Sequence, residues 1–286
     1  MICSRLRTAR FVLAAAGLGL CGLLTLPLGV TGAETAGPSE AASAMQDVAT
    51  TLANEVVAAQ HKDHYVYLSR ERSERTGGHL WTEKVVETDA GKVRMLLAED
   101  GQPLSPGREA QERGRLAQIV ADPEDFEKKS QATKDDEAHA VQMLALLPKA
   151  FLFGDAREQG SGRAIDFKPN PGYQPRSMEE RVLHGMSGTL VIDPKAMRLR
   201  HIEARLSQDV SIGFGLLATI RAGSNFATTR DPLGQLDWKT TTLDTDINGR
   251  AIFFKTIARS EHAEHSDFVR VPLDLTVAQA VALAEQ

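Results

Sequence analysis

The sequence predicts a mainly β (α+β) protein: a strongly curved antiparallel sheet, or half-barrel, with helices packed on its concave face and a charged helical insert. Three observations carry this. Apolar stretches recur from Tyr65 to Val271, punctuated by Asp89-Ala90-Gly91, Asp100-Gly101, Asp193-Pro194, Asp231-Pro232 and Asn248-Gly249. Connections this short join antiparallel strands, because a parallel pair needs a crossover of about a dozen residues or more. The stretch from Ser105 to Leu147 departs from the β pattern and carries helix-start signals. Lastly, apolar residues fall on both faces of predicted strands, which requires cover on both sides of the sheet.

The chain opens with an export signature. Arg5, Arg7 and Arg10 precede an apolar and small-residue run from Phe11 to Val30, and Thr31-Gly32-Ala33 supplies a small-residue exit. That order is a secretory signal, so residues 1–33 are expected to be removed and the mature chain to work in the periplasm. An uncleaved N-terminal anchor is the alternative, since about 20 apolar residues span a bilayer. A lipid-modified Cys21 is disfavoured by the bulky Leu20 before it. Residues 34–43 read as a flexible leader and 44–286 as one domain, with the helical insert at about 105–147.

Ser43 to Gln46 has capping-box spacing, and Met45, Val48, Leu52 and Val56 recur at helical intervals, predicting a helix from about Ala44 to Gln60. Strands follow at Tyr65–Leu68, Leu80–Glu87 and Lys92–Ala98. The run from Arg70 to Arg75 reads as a solvated strand end, and Thr76-Gly77-Gly78 as its turn. Ser105-Pro106 and Asp122-Pro123 are N-cap and first-turn proline pairs, predicting helices from Pro106 to Ala121 and from Pro123 to Leu147. The second stays polar until Val141, so its last turns alone can pack tightly. Ser177 to Glu180 is another capping-box spacing, for a short helix to His184. Strands are then expected at Gly188–Ile192, Leu199–Leu206, Val210–Leu217, Ile220–Thr228, Leu236–Leu243 and Ala251–Ala258, with a further strand at Asp267–Val271. The alanine-rich Thr276–Glu285 closes the chain as a helix.

Composition removes several functions. Lys and Arg number 33 against 38 Asp and Glu, and losing Arg5, Arg7 and Arg10 with no acid takes the net charge from −5 to −8. Nucleic-acid binding needs a concentrated basic surface instead. Both cysteines, Cys3 and Cys21, lie in the signal, so the mature chain has no disulfide and no thiolate chemistry. No metal and no cofactor is expected. Asp244-Thr245-Asp246-Ile247-Asn248-Gly249 resembles half a calcium loop, but Lys255 stands at the twelfth position and strand-like flanks replace the helices; a hairpin turn at Asn248-Gly249 explains it more simply. Gly213-Phe214-Gly215 lacks the following helix of a dinucleotide site. His262/His265 and His61/His64 would share a zinc only on a helix, whereas a strand sends them to opposite faces. Ser161, between two glycines, sits in a plain loop without a nucleophile elbow.

The order of parts resembles the LolA/LolB-like outer-membrane lipoprotein-sorting superfamily: an export signal, an N-terminal helix, a β meander with inserted helices, and a second meander. The local match runs from Gly188-Thr189-Leu190-Val191-Ile192-Asp193-Pro194 into Arg198-Leu199-Arg200-His201-Ile202. Over most of the mature length the chain also resembles a group of uncharacterised secreted bacterial proteins. Its signatures are Asp100-Gly101-Gln102-Pro103-Leu104-Ser105, Pro169-Asn170-Pro171-Gly172-Tyr173-Gln174-Pro175 and Gly249–Thr256. The superfamily resemblance implies a half-barrel closed by helices over an apolar cavity. The superfamily's cavity arginine has no position that aligns here, so no ligand residue carries over.

The expected function is therefore a periplasmic binding or carrier protein for an apolar ligand, a lipid or an acylated polypeptide. Tyr65, Tyr67, Trp81, Met95, Phe214, Trp238 and Phe253 are the large side chains expected near the groove. One alternative is an envelope scaffold or sensor that meets a protein partner through the 105–147 helices. Another is a hydrolase without a recognisable motif.

Overall fold

A computed structural model describes residues 40–60, 63–212, 218–234, 237–251 and 255–286. The expected signal and residues 34–39 of the expected leader, with His61, Phe214 and Phe253, lie outside them; residues 40–43 of that leader are helical instead and open the first helix, which begins four residues before the expected Ala44. The chain begins with α1 (Glu40–Ala58), followed by β1 (His64–Arg72), β2 (Leu80–Glu87), β3 (Lys92–Glu99) and the two-residue β4 (Gln102–Pro103). The insert holds α2 (Pro106–Ala121), α3 (Pro123–Leu144) and the single turn α4 (Leu147–Ala150). Next come β5 (Phe151–Gln159), β6 (Gly162–Pro169), α5 (Met178–His184), β7 (Met186–Asp193) and β8 (Arg198–Leu206). The chain closes with β9 (Val210–Ile212), β10 (Ala218–Ile220), β11 (Asn225–Pro232), β12 (Trp238–Ala251), β13 (Lys255–Val271) and α6 (Val277–Ala284).

All strands join one antiparallel sheet in the order β4-β3-β2-β1-β13-β12-β11-β8-β7-β6-β5, with β9 and β10 as a side extension against β12. The last strand, β13, is inserted between β1 and β12, so the first meander is joined to the rest through the pairing of His64 with Val271. The sheet is a curved half-barrel and is not closed. Register shifts place an extra residue in β3, β5, β8, β12 and β13, and each such bulge bends its strand and adds twist. Both edges are blunted: β4 is short and carries Pro103, and β5 exposes Asp155 and Glu158. These are the devices that discourage further strand pairing.

The two faces differ in cover. On the concave face Val48 and Leu52 of α1 pack with Leu147, Phe151, Ile165, Leu190, Ile202 and Leu206 in the largest core. On the opposite face Leu116 of α2 and Val277, Ala280 and Val281 of α6 cover Val86 and Val93. Strand alternation sorts these sets, with Tyr65 and Tyr67 on one side of β1 and Val66 on the other.

Both proline-led helices begin where expected, with the hydroxyl of Ser105 and the carboxylate of Asp122 accepting from Arg108 N and Asp125 N. α3 ends at Leu144, three residues earlier than expected, and α4 restarts at Leu147 with Pro148 in its first turn. A proline ring at 148 collides with the carbonyl four residues back in a continuous helix, which is that of Leu144. Ser177 caps α5, but its expected reciprocal partner Glu180 accepts instead from Arg176 N and the Tyr173 hydroxyl. A full capping box stands at Thr276 and Gln279 of α6.

The region after Asp193 departs most from the expected strands. The strand expected at Ile220–Thr228 is two strands, β10 and β11, divided at Arg221–Ser224, where Gly223 has φ +89°. Asn248-Gly249 is not a hairpin turn. β12 runs straight through it, with Asn248 opposite Ala258 and Gly249 opposite Ile257. A Cβ at Gly249 would lie 2.6 Å from the Thr219 carbonyl oxygen, so this glycine serves the close approach of β10. β13 likewise joins residues 255–258 of the expected Ala251–Ala258 strand and the expected Asp267–Val271 segment into one 17-residue strand, bulged near Asp267 with φ +57°, while Ala251 ends β12.

Candidate functional site

A cavity of about 1110 Å³ lies between the concave face and the helices α1, α3 and α5. Its wall changes character along the strand order. At the β6, β7, β8 and β11 side it is apolar, lined by Phe167, Met186, Ile202 and Phe226, with Leu144 of α3 and Val182 of α5 opposite. At the β1, β2, β3 and β13 side it is polar, lined by Tyr67, Glu87, Lys92, Arg94 and His265. One space is therefore apolar at one end and charged at the other.

Between these ends sits a buried ion cluster. Arg198 Nε donates to Glu55 Oε1 at 2.8 Å, and Arg230 Nη1 donates to Glu55 Oε2. The Leu199 amide adds a third donor at 2.9 Å. Burial pushes the Glu55 carboxyl up, but Arg198, Arg230 and that amide together hold it below its ordinary value. The Arg198 and Arg200 guanidiniums lie 5.7 and 5.5 Å from the Trp238 ring centre, a cation–π arrangement.

The polar end has its own network. The expected solvated run at Arg70–Arg75 is only half solvated, because strand alternation turns Glu71 inward and Ser73, just past β1, bonds to it, and both are buried. Arg75 donates to Glu71 at 2.7 Å and to Glu83 at 2.6 Å, and Arg94 Nη1 reaches Glu83 at 3.0 Å. Glu87 accepts from Lys239 at 2.6 Å and from the Tyr65 amide at 3.1 Å. The acids here are thus occupied.

Tyr67 and His265 are different. Tyr67 is 4 % exposed, stacked on Phe268 at 4.9 Å, and none of the described residues hydrogen-bonds its hydroxyl. Burial pushes its phenol up, while Lys92 and Arg94 pull the other way. His265 meets the Thr240 carbonyl oxygen through Nδ1 at 2.9 Å. A carbonyl can only accept, so Nδ1 carries the proton and Nε2 is the acceptor. Burial, with Arg94 and Lys92 nearby, lowers the His265 pKa and favours that neutral form.

Asp63 and Asp237 also line the cavity, as neighbouring carboxyls shifted in opposite directions. Asp237 is pushed up by burial and by Asp63. Asp63 is held low by the Asp237 hydrogen bond, against its own burial, with help from Arg270 and Lys239.

Of the aromatic and methionine side chains expected near the groove, Tyr67 and Trp238 line the cavity. Tyr65 is buried beside it, edge-on to Phe268, with Lys239 over its ring at 4.8 Å. Its phenol is pushed up to about 12 by burial and by Asp237. Trp81 lies elsewhere, between Arg75 and Arg108, with Nε1 donating to Glu99 at 2.9 Å. Met95 packs on the opposite face with Val93 and α6. Sequence reasoning passed over Lys92 and Arg94, although the alternation of Lys92 and Arg94 with Val93 and Met95 signals a strand with one charged face.

Among the described residues no group of three or more His, Cys, Asp or Glu side chains could hold a metal, and no helix is long and apolar enough to cross a membrane. Fold and site together describe a curved-sheet protein with an internal cavity that is apolar at one end and charged at the other. Comparison with known protein families, with characterised proteins and with solved structures returned no match.

Proposed function

We propose that this is a periplasmic carrier that shields an apolar ligand, a lipid or the acyl chain of a lipidated polypeptide, between sheet and helices. The observation that carries the reading is the cavity of about 1110 Å³ with its apolar end. Drug-sized ligands use pockets of roughly 300–1,000 Å³, so this space accepts a long chain. Burying such a chain gives about 0.8 kcal/mol per CH₂, and no catalytic group is required. The expected export signal supports a role outside the cytoplasm, where free lipid needs such cover.

Native mass spectrometry of protein taken from its own envelope, with organic extraction of what travels with it, tests this. The expected result is an acyl-chain adduct that Val182→Trp removes by filling the apolar end. Protein without an adduct that also fails to take up a fluorescent long-chain acyl probe would overturn the carrier and favour a scaffold.

The Asp63–Asp237 pair favours a hydrolase as second reading, because neighbouring carboxyls with divergent pKa values are how acid–base pairs are built. Ester or amide cleavage by the wild type that Asp237→Asn abolishes would promote it.

A further inference from the structure

The polar end of the cavity contains a contact that bridges helix and sheet. Lys92 Nζ of β3 meets Glu137 Oε1 of α3 at 2.7 Å. α3 buries none of its residues, and along its middle it is held by polar contacts to the β2–β3 turn. Lys134 Nζ donates to the Asp89 carbonyl oxygen at 2.6 Å, and Ser130 sits against Gly91. Beside Lys92 stand Tyr67, whose hydroxyl has no partner among the described residues and whose side chain lines the cavity, and Arg94, whose ion pairs to Glu71 and Glu83 both run through Nη1. A guanidinium has five N–H donors, so the remaining nitrogens keep donors for a ligand.

We propose that the polar end is a head-group site for an anionic single-chain amphiphile, a carboxylate or phosphate bound by Lys92, Arg94 and Tyr67 in place of Glu137, with its chain running to Ile202 and Phe226. This rests on the carrier reading and narrows it. The neighbouring acids do not favour a cationic head, because Glu71, Glu83 and Glu87 already hold Arg75, Arg94 and Lys239. Exchange of Glu137 for the ligand's anion removes one polar tie between α3 and the sheet, so binding and loosening of α3 are linked.

The test is binding to the purified full chain of four probes sharing one hexadecyl-length chain: palmitate, palmitoyl lysophosphatidate, hexadecanol and hexadecylamine. A charge-assisted hydrogen bond gained at the head makes the anions bind about tenfold tighter than hexadecanol. Lys92→Met abolishes that preference, Tyr67→Phe reduces it, and Glu137→Gln strengthens anion binding. Whichever anion binds tighter identifies the head as carboxylate or phosphate. Equal binding of palmitate and hexadecanol, or weaker anion binding in Glu137→Gln, overturns the head-group site and leaves the carrier standing. Failure of all four probes overturns the carrier reading itself.

Discussion

Glu55 and Arg198 form a bidentate ion pair at the helix–sheet interface, Nε to Oε1 at 2.8 Å and Nη2 to Oε2 at 3.1 Å, with both side chains buried. The pair ties α1 to β8 at the edge of the cavity, and Arg230 brings β11 to the same carboxylate. Charges so buried are costly to separate, because removing one strands the other away from water.

Glu55→Leu strands Arg198 and is therefore expected to destabilise the fold by about 3–5 kcal/mol; Arg198→Met is expected to cost less, because Arg230 and the Leu199 amide still hold the Glu55 carboxylate. The double change to Leu and Met should recover a large part of the Glu55→Leu loss, since the uncompensated charge goes with its partner. Urea denaturation of the two single variants and the double variant measures the coupling. Additive losses would show that the pair does not act as a unit.

The same pair sets an acid limit. Glu55 is held below the 4.5 of a free carboxyl in the folded chain, so its contribution is present above that value and lost as pH falls through the lower folded pKa. The stability gap between wild type and Glu55→Gln should be full at pH 7 and shrink steadily below about pH 4.5. Denaturation midpoints across that range check it; a gap that widens on acidification would contradict the sign.

Two glycines predict opposite outcomes. Gly249→Ala drives a Cβ to 2.6 Å from the Thr219 carbonyl oxygen and 3.2 Å from Ile220 Cδ1, and overpacking of that kind costs about 1–3 kcal/mol. Gly114 lies within α2 with open space where its Cβ would be, so Gly114→Ala should stabilise by about 1 kcal/mol. A Gly249→Ala melting temperature at or above that of the wild type would refute the assignment of β12 as a continuous strand beside β10.

At Gly91 a Cβ would lie 2.3 Å from Ser130 Oγ. Gly91→Ala is expected to lift the middle of α3 from the β2–β3 turn while leaving the main core intact. Hydrogen exchange should quicken in α3 and stay unchanged in β7 and β8. Uniform quickening would mean that this contact supports the whole fold and not only the helix.

Much of the architecture was legible locally. Ser105-Pro106 and Asp122-Pro123 mark helix starts through chemistry confined to one turn, and the structure begins α2 and α3 at those prolines. Short polar turns at Asp89–Gly91 and Asp193–Pro194 bring adjacent strands together, so antiparallel pairing follows from chain length alone. Long-range partners decided the rest. Whether Asn248-Gly249 turns or runs straight depends on β10 arriving beside it, and the backbone approach at Thr219 selects the straight form. The insertion of β13 between β1 and β12 joins residues some two hundred positions apart, such as His64 and Val271, and no local signal encodes it. The cavity has the same origin. Lys92 and Arg94 show a charged strand face in the sequence, but their company with Tyr67, Glu137 and His265 arises only when α3 is laid across a curved sheet. Local sequence sets each residue's backbone preference and strand face, while curvature and long-range pairing set which faces enclose a common space.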